Sequence, residues 1–328
     1  MELVVQPLGR ALSVQPGENL LGVLEANDIP ISYSCKSGRC GTCRCRIVEG
    51  KVLESGRDAK ITNPDDDNHV LACMSVLTEN CVIEIPEPDE IVHHPARIIK
   101  GTVVSLENLT HDIKRLVVKS PKQLSFSPGQ YATLQFTAEH VRPYSMACLP
   151  DDELLEFHIR AVPRGRVTGY VFNELRVGDA IRISGPMGTA YLRKKYTGPI
   201  LCIAGGTGLA PVLAIIRGAT AAGLNNPIHL YFGVRSSADI YGLAWLESIA
   251  TQNPNLHVHV IVSTKESNST YRIGLVTDAV EQDWKDLTGW RAYLCGAPPM
   301  VDAAKLIVKR KGIANEHVYA DAFYASAN

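Results

Sequence analysis

Three cysteines on one short glycine-bearing loop constrain this chain more than any other feature. Cys35, Cys40 and Cys43 have the spacing C-x4-C-x2-C within the run CKSGRCGTCRC, and Cys73 follows later in the chain. This spacing predicts a binuclear iron–sulfur cluster, because each of its two irons needs two thiolates and three of the four can come from one loop. Gly38 lets the backbone curl around the inorganic core without a Cβ clash.

Two other uses of these cysteines fit the sequence less well. Four buried structural cysteines would not explain why three of them crowd together with glycine between them, and a zinc site more naturally shows two C-x2–4-C pairs. Cys45 ends the same run but is left out of the ligand set, because Cys73 already completes the four. The sequence therefore predicts a [2Fe–2S] cluster held by Cys35, Cys40, Cys43 and Cys73.

The bulk properties exclude several classes of protein. With 328 residues, 45% of them hydrophobic and 20% charged, the chain has the length of two or three folded domains and is too apolar for disorder. A net charge of −1 gives no reason to expect nucleic-acid binding. The longest uncharged run, Gly198–Ile216, is interrupted by glycines and a proline, so it predicts a strand, loop and helix and no membrane contact. Nine cysteines without a signal peptide predict a cytoplasmic protein.

The first part of the chain, residues 1–90, reads as a small domain. Short apolar runs surround one amphipathic helix that begins after Asn19, which predicts a small mixed sheet gripping a helix. The stretch Pro86–Pro95 is rich in proline and acid, and a linker is predicted over residues 91–96.

The rest of the chain divides into two segments with different hydrophobic patterns. Residues 97–194 carry short β-like runs separated by turns, with one helix near Val167–Leu175, which predicts an antiparallel β-barrel. Residues 195–328 alternate apolar strands with helical segments, which predicts a doubly wound parallel sheet of the nucleotide-binding kind.

The predicted barrel carries a set of residues suited to a flavin dinucleotide. Arginine can bind a pyrophosphate through two hydrogen bonds, and a helix that starts at glycine offers free N–H groups to the same phosphates. A tyrosine ring can lie against the isoalloxazine, and a serine hydroxyl can bond its N5. The candidate residues are Arg142, Tyr144, Ser145, His158, Arg160, Gly165, Val167 and Thr168.

The predicted parallel sheet begins with a glycine-rich loop between an apolar strand and an apolar helix. In IAGGTGLAP, Gly205, Gly206, Thr207 and Gly208 precede Pro211, which suits the first helical turn. Glycines let the backbone approach a dinucleotide pyrophosphate, and the helix dipole favours its charge. The loop is not the Rossmann G-x-G-x-x-G, so this domain is expected to differ in detail from that fold.

Two later loops complete the predicted nucleotide site. Arg235 and two serines follow the second strand, where a doubly wound sheet commonly meets the ribose 2′ position, although Arg235 could simply be solvated. Cys295 ends the last apolar strand, where it is either inert packing or a neighbour of the nicotinamide ring. The tail Asp321-Ala322-Phe323-Tyr324 is expected to fold back over the flavin.

These motifs, in this order, resemble the ferredoxin–NAD(P) reductase superfamily in the arrangement with the plant-type ferredoxin domain first. The resemblance covers essentially the whole chain and includes the stretches RPYSMA, GGTGLAPVL, LYFGVRS, GWRAYLCGAP and YADAF. It implies a multidomain α+β and α/β protein: a β-grasp [2Fe–2S] ferredoxin domain, an antiparallel β-barrel FAD-binding domain and a doubly wound NAD(P)-binding domain.

The same resemblance implies roles for individual residues. Ser145, Cys295, Asp321 and Phe323 would be the catalytic group. FAD would be held noncovalently by the barrel residues named above. Nicotinamide nucleotide, as NADH or NADPH, would bind at these residues: Gly205–Gly208, Arg235, Cys295, Gly296, Pro298, Met300 and Phe323.

The implied activity is electron transfer in a ring-hydroxylating dioxygenase system that degrades aromatic hydrocarbons. The reductase would take hydride from NAD(P)H onto FAD and pass single electrons through its cluster to a Rieske-type ferredoxin or the terminal oxygenase. Reductases of di-iron monooxygenases share this layout and remain an alternative, whereas a redox sensor would not need the nucleotide loop.

The cluster loop is basic throughout and contains no acid. Lys36, Arg39, Arg44 and Arg46 could dock an acidic ferredoxin and speed its encounter at low salt. They could equally offset the negative charge of the cluster itself, and the two roles are compatible.

The loop at Arg235 predicts that the protein uses both nucleotides. An acid there would repel a 2′-phosphate, whereas Arg235 would accept one. Steady-state kinetics with NADH and with NADPH should give comparable kcat/KM values. A preference for NADH above about a hundredfold, or roughly 2.7 kcal/mol, would contradict this prediction.

Overall fold

The computed structural model of the chain describes residues 1–31, 33, 36, 38, 43–54, 68–85, 94–265 and 270–324. Two compact units make up the chain: Met1–Ala96 with Pro186–Thr189, and Arg97–Gly185 with Ala190–Asn328. The predicted ligands Cys35 and Cys40, the basic residue Arg39 and part of the predicted linker lie outside the described residues.

The first unit is a mixed sheet over one short helix, as predicted. Its order is β2-β1-β7-β3-β5, with β1 parallel to β7 and the other pairs antiparallel, beside a separate β4–β6 ladder. The helix begins where the side chain of Asn19 accepts the Gly22 N–H at 3.1 Å, and its leucines enter the core. The elements are β1 (Glu2–Gln6), β2 (Arg10–Ser13), α1 (Leu20–Ala26), β3 (Arg44–Glu49), β4 (Val52–Glu54), β5 (His69–Leu71), β6 (Ser75–Leu77) and β7 (Cys81–Glu84).

The second unit begins with a six-stranded barrel. Its order is β11-β10-β13-β8-β9-β12, and a bridge between Met146 and Phe157 joins the two ends of that order. In β8, buried and exposed residues alternate at Ile99–Val103, because one face of each strand enters the barrel core. The elements are β8 (Arg97–Asn108), β9 (Ile113–Lys119), β10 (Tyr131–Gln135), β11 (Val141–Ser145), β12 (Leu154–Arg160), α2 (Arg166–Asn173) and β13 (Ala180–Met187).

Strand β11 contains a proline. The RPYS stretch lies within this strand, where Pro143 faces Thr133 of β10. Proline is tolerated there because β11 stands at the end of the strand order, where one side of the strand needs no ladder hydrogen bond. The helix expected near Val167–Leu175 runs over Arg166–Asn173.

The barrel is followed by a parallel sheet with helices on both faces, as predicted. All neighbours in the order β17-β16-β15-β14-β18-β19 are parallel. Two separate apolar cores cover its faces, and every residue of β18 is buried. The elements are β14 (Ile200–Gly205), α3 (Leu209–Ala221), β15 (Ile228–Val234), α4 (Leu243–Gln252), β16 (Leu256–Val262), β17 (Arg272–Ile273), α5 (Val276–Asp283), β18 (Arg291–Gly296), α6 (Pro298–Arg310) and β19 (Val318–Ala322).

The tail contributes a strand that the sequence did not predict. Asp321 and Ala322 belong to β19, a sixth strand that pairs with Cys295 and Gly296 of β18. In the parts of the chain that the structure describes, no helix has both the length and the apolarity to cross a membrane.

Three histidines stack on the sheet far from its carboxyl edge. The ring of His229 on β15 lies 4.6 Å from that of His257 and 6.0 Å from that of His259 on β16. Trp284 and Trp290 pack against His229 with ring centroids 4.8 and 5.4 Å away. Burial first, and then the two neighbouring histidines, lower the pKa of His229 to about 4.

This cluster predicts a loss of stability in mild acid. The pKa of His229 is lower in the folded chain than the ordinary value of about 6.5 expected after unfolding. The unfolded state therefore binds more protons, and stability present above pH 6.5 should fall as the pH drops toward 4. His229→Gln should weaken this fall when unfolding is followed by tryptophan fluorescence at pH 7.5 and 5. His111→Gln, at an exposed histidine, is the control; identical pH dependence in both variants would refute the prediction.

Candidate functional site

Two of the four predicted cluster ligands lie side by side in the first unit. The backbone N–H of Cys73 points at Cys43 Sγ at 3.4 Å, and the Ala72 N–H donates to the Cys43 carbonyl at 2.8 Å. A separate hydrogen bond, from the Cys43 side chain to the Cys73 side chain, lowers the pKa of the Cys73 thiol to about 7. Thiolate is the form that binds iron, so this pair of sulfurs fits a cluster.

Two neighbours of this pair support the predicted ligand set. Cys45 is buried in the core, where burial and the nearby Cys81 raise the pKa of its thiol to about 12, so it is a poor source of thiolate. Gly38 has a φ of +74°, and a Cβ there would stand 2.8 Å from the Met74 side chain. The loop thus needs glycine at that position. The ligand assignments remain predictions, since Cys35 and Cys40 are not described.

The barrel offers an exposed arginine and an unsatisfied tyrosine at one place. Arg142 is exposed on β11, and the hydroxyl of Tyr144 is buried without a hydrogen-bond partner among the described residues. Burial raises the pKa of Tyr144, so this hydroxyl keeps its proton. A buried donor without a partner is uncommon and indicates a group that the protein atoms do not supply.

The predicted phosphate turn is also present. Helix α2 starts at Gly165 without a side-chain cap, which leaves N–H groups at its first turn. Thr168 holds the turn together: its hydroxyl donates to the Gly165 carbonyl at 3.3 Å and accepts the Val162 N–H at 3.1 Å, while Val167 is buried. The barrel residues therefore fit a flavin dinucleotide.

One hydrogen bond joins the barrel to the tail of the sheet. Ser145 Oγ donates to Asp321 Oδ2 at 2.9 Å across 176 residues of chain. Burial raises the pKa of Asp321 to about 6, against the lowering effect of that hydrogen bond. Cys295 stands beside Asp321 in the ladder and is fully buried, and the Phe323 N–H donates to the Gly296 carbonyl at 2.9 Å. The four predicted catalytic residues thus lie around one junction.

The glycine loop lies against the end of β18. A Cβ on Gly208 would stand 2.0 Å from the Cys295 carbonyl oxygen, and one on Gly205 would stand 2.6 Å from Met300 Sδ. Gly296 has a φ of +147° and also contacts Met300. The structure therefore brings Gly205–Gly208, Cys295, Gly296 and Met300 together at the carboxyl edge of the sheet, where such folds bind nucleotides. Thr207 lies in the 3₁₀ turn before α3, and Pro298 opens α6.

Arg235 lies at the same edge with an exposed side chain. It follows β15, whose Gly233 pairs with Gly205, and its carbonyl accepts the Thr264 N–H at 2.8 Å. Ser236 has a different task from the one expected, because its hydroxyl donates to Asp239 in a capping box. The exposed Arg235 stays the predicted contact for a ribose phosphate.

The remaining two predicted cofactor residues have protein partners. Arg160 donates to Asp112 at 2.7 Å and lies 4.0 Å from Asp239, and a Cβ on Gly206 would stand 3.2 Å from its Nη1. His158 is fully buried, with one ring nitrogen 3.1 Å from the Tyr241 hydroxyl and the other 3.0 Å from Glu156.

Several residues of this arrangement were not foreseen from the sequence. Asp112, Asp239 and Tyr241 contact predicted site residues across long chain separations. The Ser236-x-x-Asp239 capping signature is readable in the sequence. Nothing in the sequence alone indicates that Tyr241 meets His158, because the two belong to different predicted domains.

Three family models match the chain in succession. They describe a 2Fe-2S iron-sulfur cluster binding domain over residues 3–78, an oxidoreductase FAD-binding domain over 100–191 and an oxidoreductase NAD-binding domain over 202–306. The domain boundaries at 90, 97 and 195 stay predictions. The three expected cofactor-binding functions and the fold class are confirmed by these matches.

Full-length relatives agree with the models. The chain is 60% identical to the naphthalene 1,2-dioxygenase system ferredoxin–NAD(P)+ reductase component of Pseudomonas putida, covering 99% of both chains. It is 59% identical to the reductase component of the naphthalene 1,2-dioxygenase/salicylate 5-hydroxylase systems of Ralstonia sp., again over 99% of both. The solved Amycolatopsis cytochrome P450 reductase GcoB is 31% identical, with a TM-score of 0.74 over 98% of both chains. The chain therefore belongs to the ferredoxin–NAD(P)+ reductase family of oxygenase electron-transfer components, with [2Fe–2S], FAD and NAD-binding domains in that order.

Proposed function

We propose that this chain is the NAD(P)H-oxidising reductase of an aromatic-ring-hydroxylating dioxygenase system and that it reduces a Rieske-type ferredoxin. The observation that carries the proposal is the hydrogen bond between Ser145 and Asp321, because it ties the candidate flavin site to the candidate nucleotide site. The high identity to reductases of naphthalene dioxygenase systems supports this client over the di-iron monooxygenases.

The chemistry that FAD would supply at the barrel is acceptance of a hydride from the nicotinamide and release of single electrons. Arg142 and the first turn of α2 would hold its pyrophosphate, and the Tyr144 hydroxyl would bond a polar group of the ligand. Ser145 donates its hydroxyl proton to Asp321, so its oxygen would be available to accept a hydrogen bond from a flavin N–H.

The sheet residues bind the nicotinamide nucleotide. Gly205–Gly208 would let the pyrophosphate approach the start of α3, and Arg235 would contact the 2′ position. The fully buried Cys295 keeps a protonated thiol, because burial and the nearby Asp321 raise its pKa. Its role is thus to shape the wall beside the ring, and not to act as a nucleophile.

The partner is proposed to dock at the basic cluster loop. Lys36 is already paired with Glu25 at 2.8 Å, and Arg46 pairs with Glu84. These pairs reduce the charge that Lys36 and Arg46 offer, so the proposed docking of an acidic ferredoxin depends on the basic loop as a whole, with Lys36, Arg39, Arg44 and Arg46, and not on one arginine.

An anaerobic titration tests the function directly. NADH should bleach the flavin absorbance and produce the EPR signal of a reduced [2Fe–2S] cluster in the same sample. The reduced protein should then reduce a Rieske-type ferredoxin from a dioxygenase system faster than it reduces a di-iron oxygenase component. Absence of bleaching would point to a sensor, and faster reduction of the di-iron component would reassign the client.

Position 208 should tolerate no side chain. In Gly208→Ala the new Cβ would overlap the Cys295 carbonyl, so the glycine loop must shift from its place beside β18 and its contacts with the nucleotide would change. We expect the KM for NADH to rise by about tenfold or more, roughly the 1.4 kcal/mol of one displaced contact, with FAD and cluster spectra retained. The matched control is Gly169→Ala in α2, where nothing lies within 4 Å of an added Cβ. A normal KM in Gly208→Ala would contradict the close approach.

A further inference from the structure

One face of strand β12 points at the nucleotide-binding sheet. His158 and Arg160 are two residues apart, so their side chains leave the strand on the same side. Both meet the short segment between β15 and α4: His158 contacts Tyr241 at 3.1 Å, and Arg160 lies 4.0 Å from Asp239. The two residues that sequence patterns place among the flavin ligands thus hold a segment of the other domain.

This segment links the candidate nucleotide contacts. It leads on from Arg235, and Asp239 caps its first turn by accepting from Ser236 at 2.8 Å. At its far end, the Tyr241 hydroxyl lies 3.5 Å from the carbonyl of Gly206 in the glycine loop. Moving Tyr241 would therefore disturb both the Arg235 turn and the glycine loop.

The hydrogen bonds around His158 allow one consistent arrangement of protons. Burial acts to raise the pKa of Glu156, but hydrogen bonds from His158 and Arg115 bring it to about 2, so Glu156 is a carboxylate. It accepts the Nε2–H of His158, whose own pKa is lowered by burial. The neutral ring then has a bare Nδ1, which accepts the Tyr241 hydroxyl proton, so the 3.5 Å approach of that hydroxyl to the Gly206 carbonyl is a packing contact.

The surrounding rings fix His158 in place. Its ring stacks on Trp245 with centroids 5.8 Å apart and meets the edge of Tyr241 at 5.3 Å. Arg115 donates to Glu156 at 2.6 Å and completes the network. With its side chain fully buried and both nitrogens occupied, His158 has no polar atom to offer a flavin.

We propose that His158 and Tyr241 are positioning residues that hold the glycine loop and the Arg235 turn against the barrel, so that they set the affinity for nicotinamide nucleotide and not the retention of FAD. This inference rests on the proposed function, since it requires that the sheet bind NAD(P)H. Tyr241→Phe removes only the hydroxyl and keeps the ring, so it isolates the hydrogen bond.

The test compares holoenzyme variants in three measurements. These are the FAD content from absorbance, the equilibrium Kd for NAD+ with oxidised protein, and kcat and KM for NADH with a dye acceptor. Tyr241→Phe should raise Kd and KM about three- to tenfold, the effect of one lost hydrogen bond, with kcat changed less than about twofold. His158→Gln should act in the same direction with full FAD content.

The matched control is Tyr231→Phe. Tyr231 is a buried tyrosine of the same sheet whose hydroxyl bonds Asp283 at 2.8 Å and Trp284 at 2.9 Å, away from the loop. Loss of the Tyr231 hydroxyl should lower the unfolding temperature and leave the Kd for NAD+ unchanged.

The outcomes separate the two proposals. Wild-type protein that NADH does not bleach would refute the proposed function. Normal bleaching with an unchanged Kd in both Tyr241→Phe and His158→Gln would refute only the positioning role. Loss of FAD from His158→Gln at unchanged nucleotide affinity would also overturn it, and would return His158 to the flavin ligands.

Discussion

The close approach of two backbone segments at the edge of the parallel sheet determines the rest of the site. The glycine loop after β14 lies so near the end of β18 that a Cβ at Gly208 would be 2.0 Å from the Cys295 carbonyl oxygen. A Cβ at Gly205 or at Gly296 would likewise crowd the side chain of Met300. With side chains excluded, the first turn of α3 and the end of β18 stay open at this edge, which is where the proposed function puts the phosphates and the nicotinamide.

The barrel and the sheet are then joined by polar contacts that are long-range in sequence. Ser145 meets Asp321, His158 meets Tyr241, and Arg217 meets Asp152 at 3.0 Å. Such partly buried polar pairs add little net stability, because desolvation offsets much of their attraction. They do specify one arrangement, since any other would leave buried groups without partners. Hydride transfer depends strongly on geometry, so it matters more that these contacts specify one arrangement of barrel and sheet than that they add stability.

The sequence was informative where a local pattern has a chemical cause. The spacing of the cysteines, the glycine loop after an apolar strand and the change from alternating to parallel-type strands all predicted features that the structure or the comparisons confirm. Strands β11 and β19 were missed, because their residues are mostly half-exposed and give no apolar alternation. The partners of His158 could not be predicted either, since Tyr241 is 83 residues away and no local rule links the two.

The exposed turn at Arg235 differs from the crowded edge beside it. Its side chain is open to solvent, while Gly208 has no space at all. Under the proposed function, substitutions at position 235 would alter the choice between NADH and NADPH without moving the glycine loop or the end of β18. Evolution can match such a reductase to the nucleotide that a host cell keeps reduced, while its electron-transfer core stays the same.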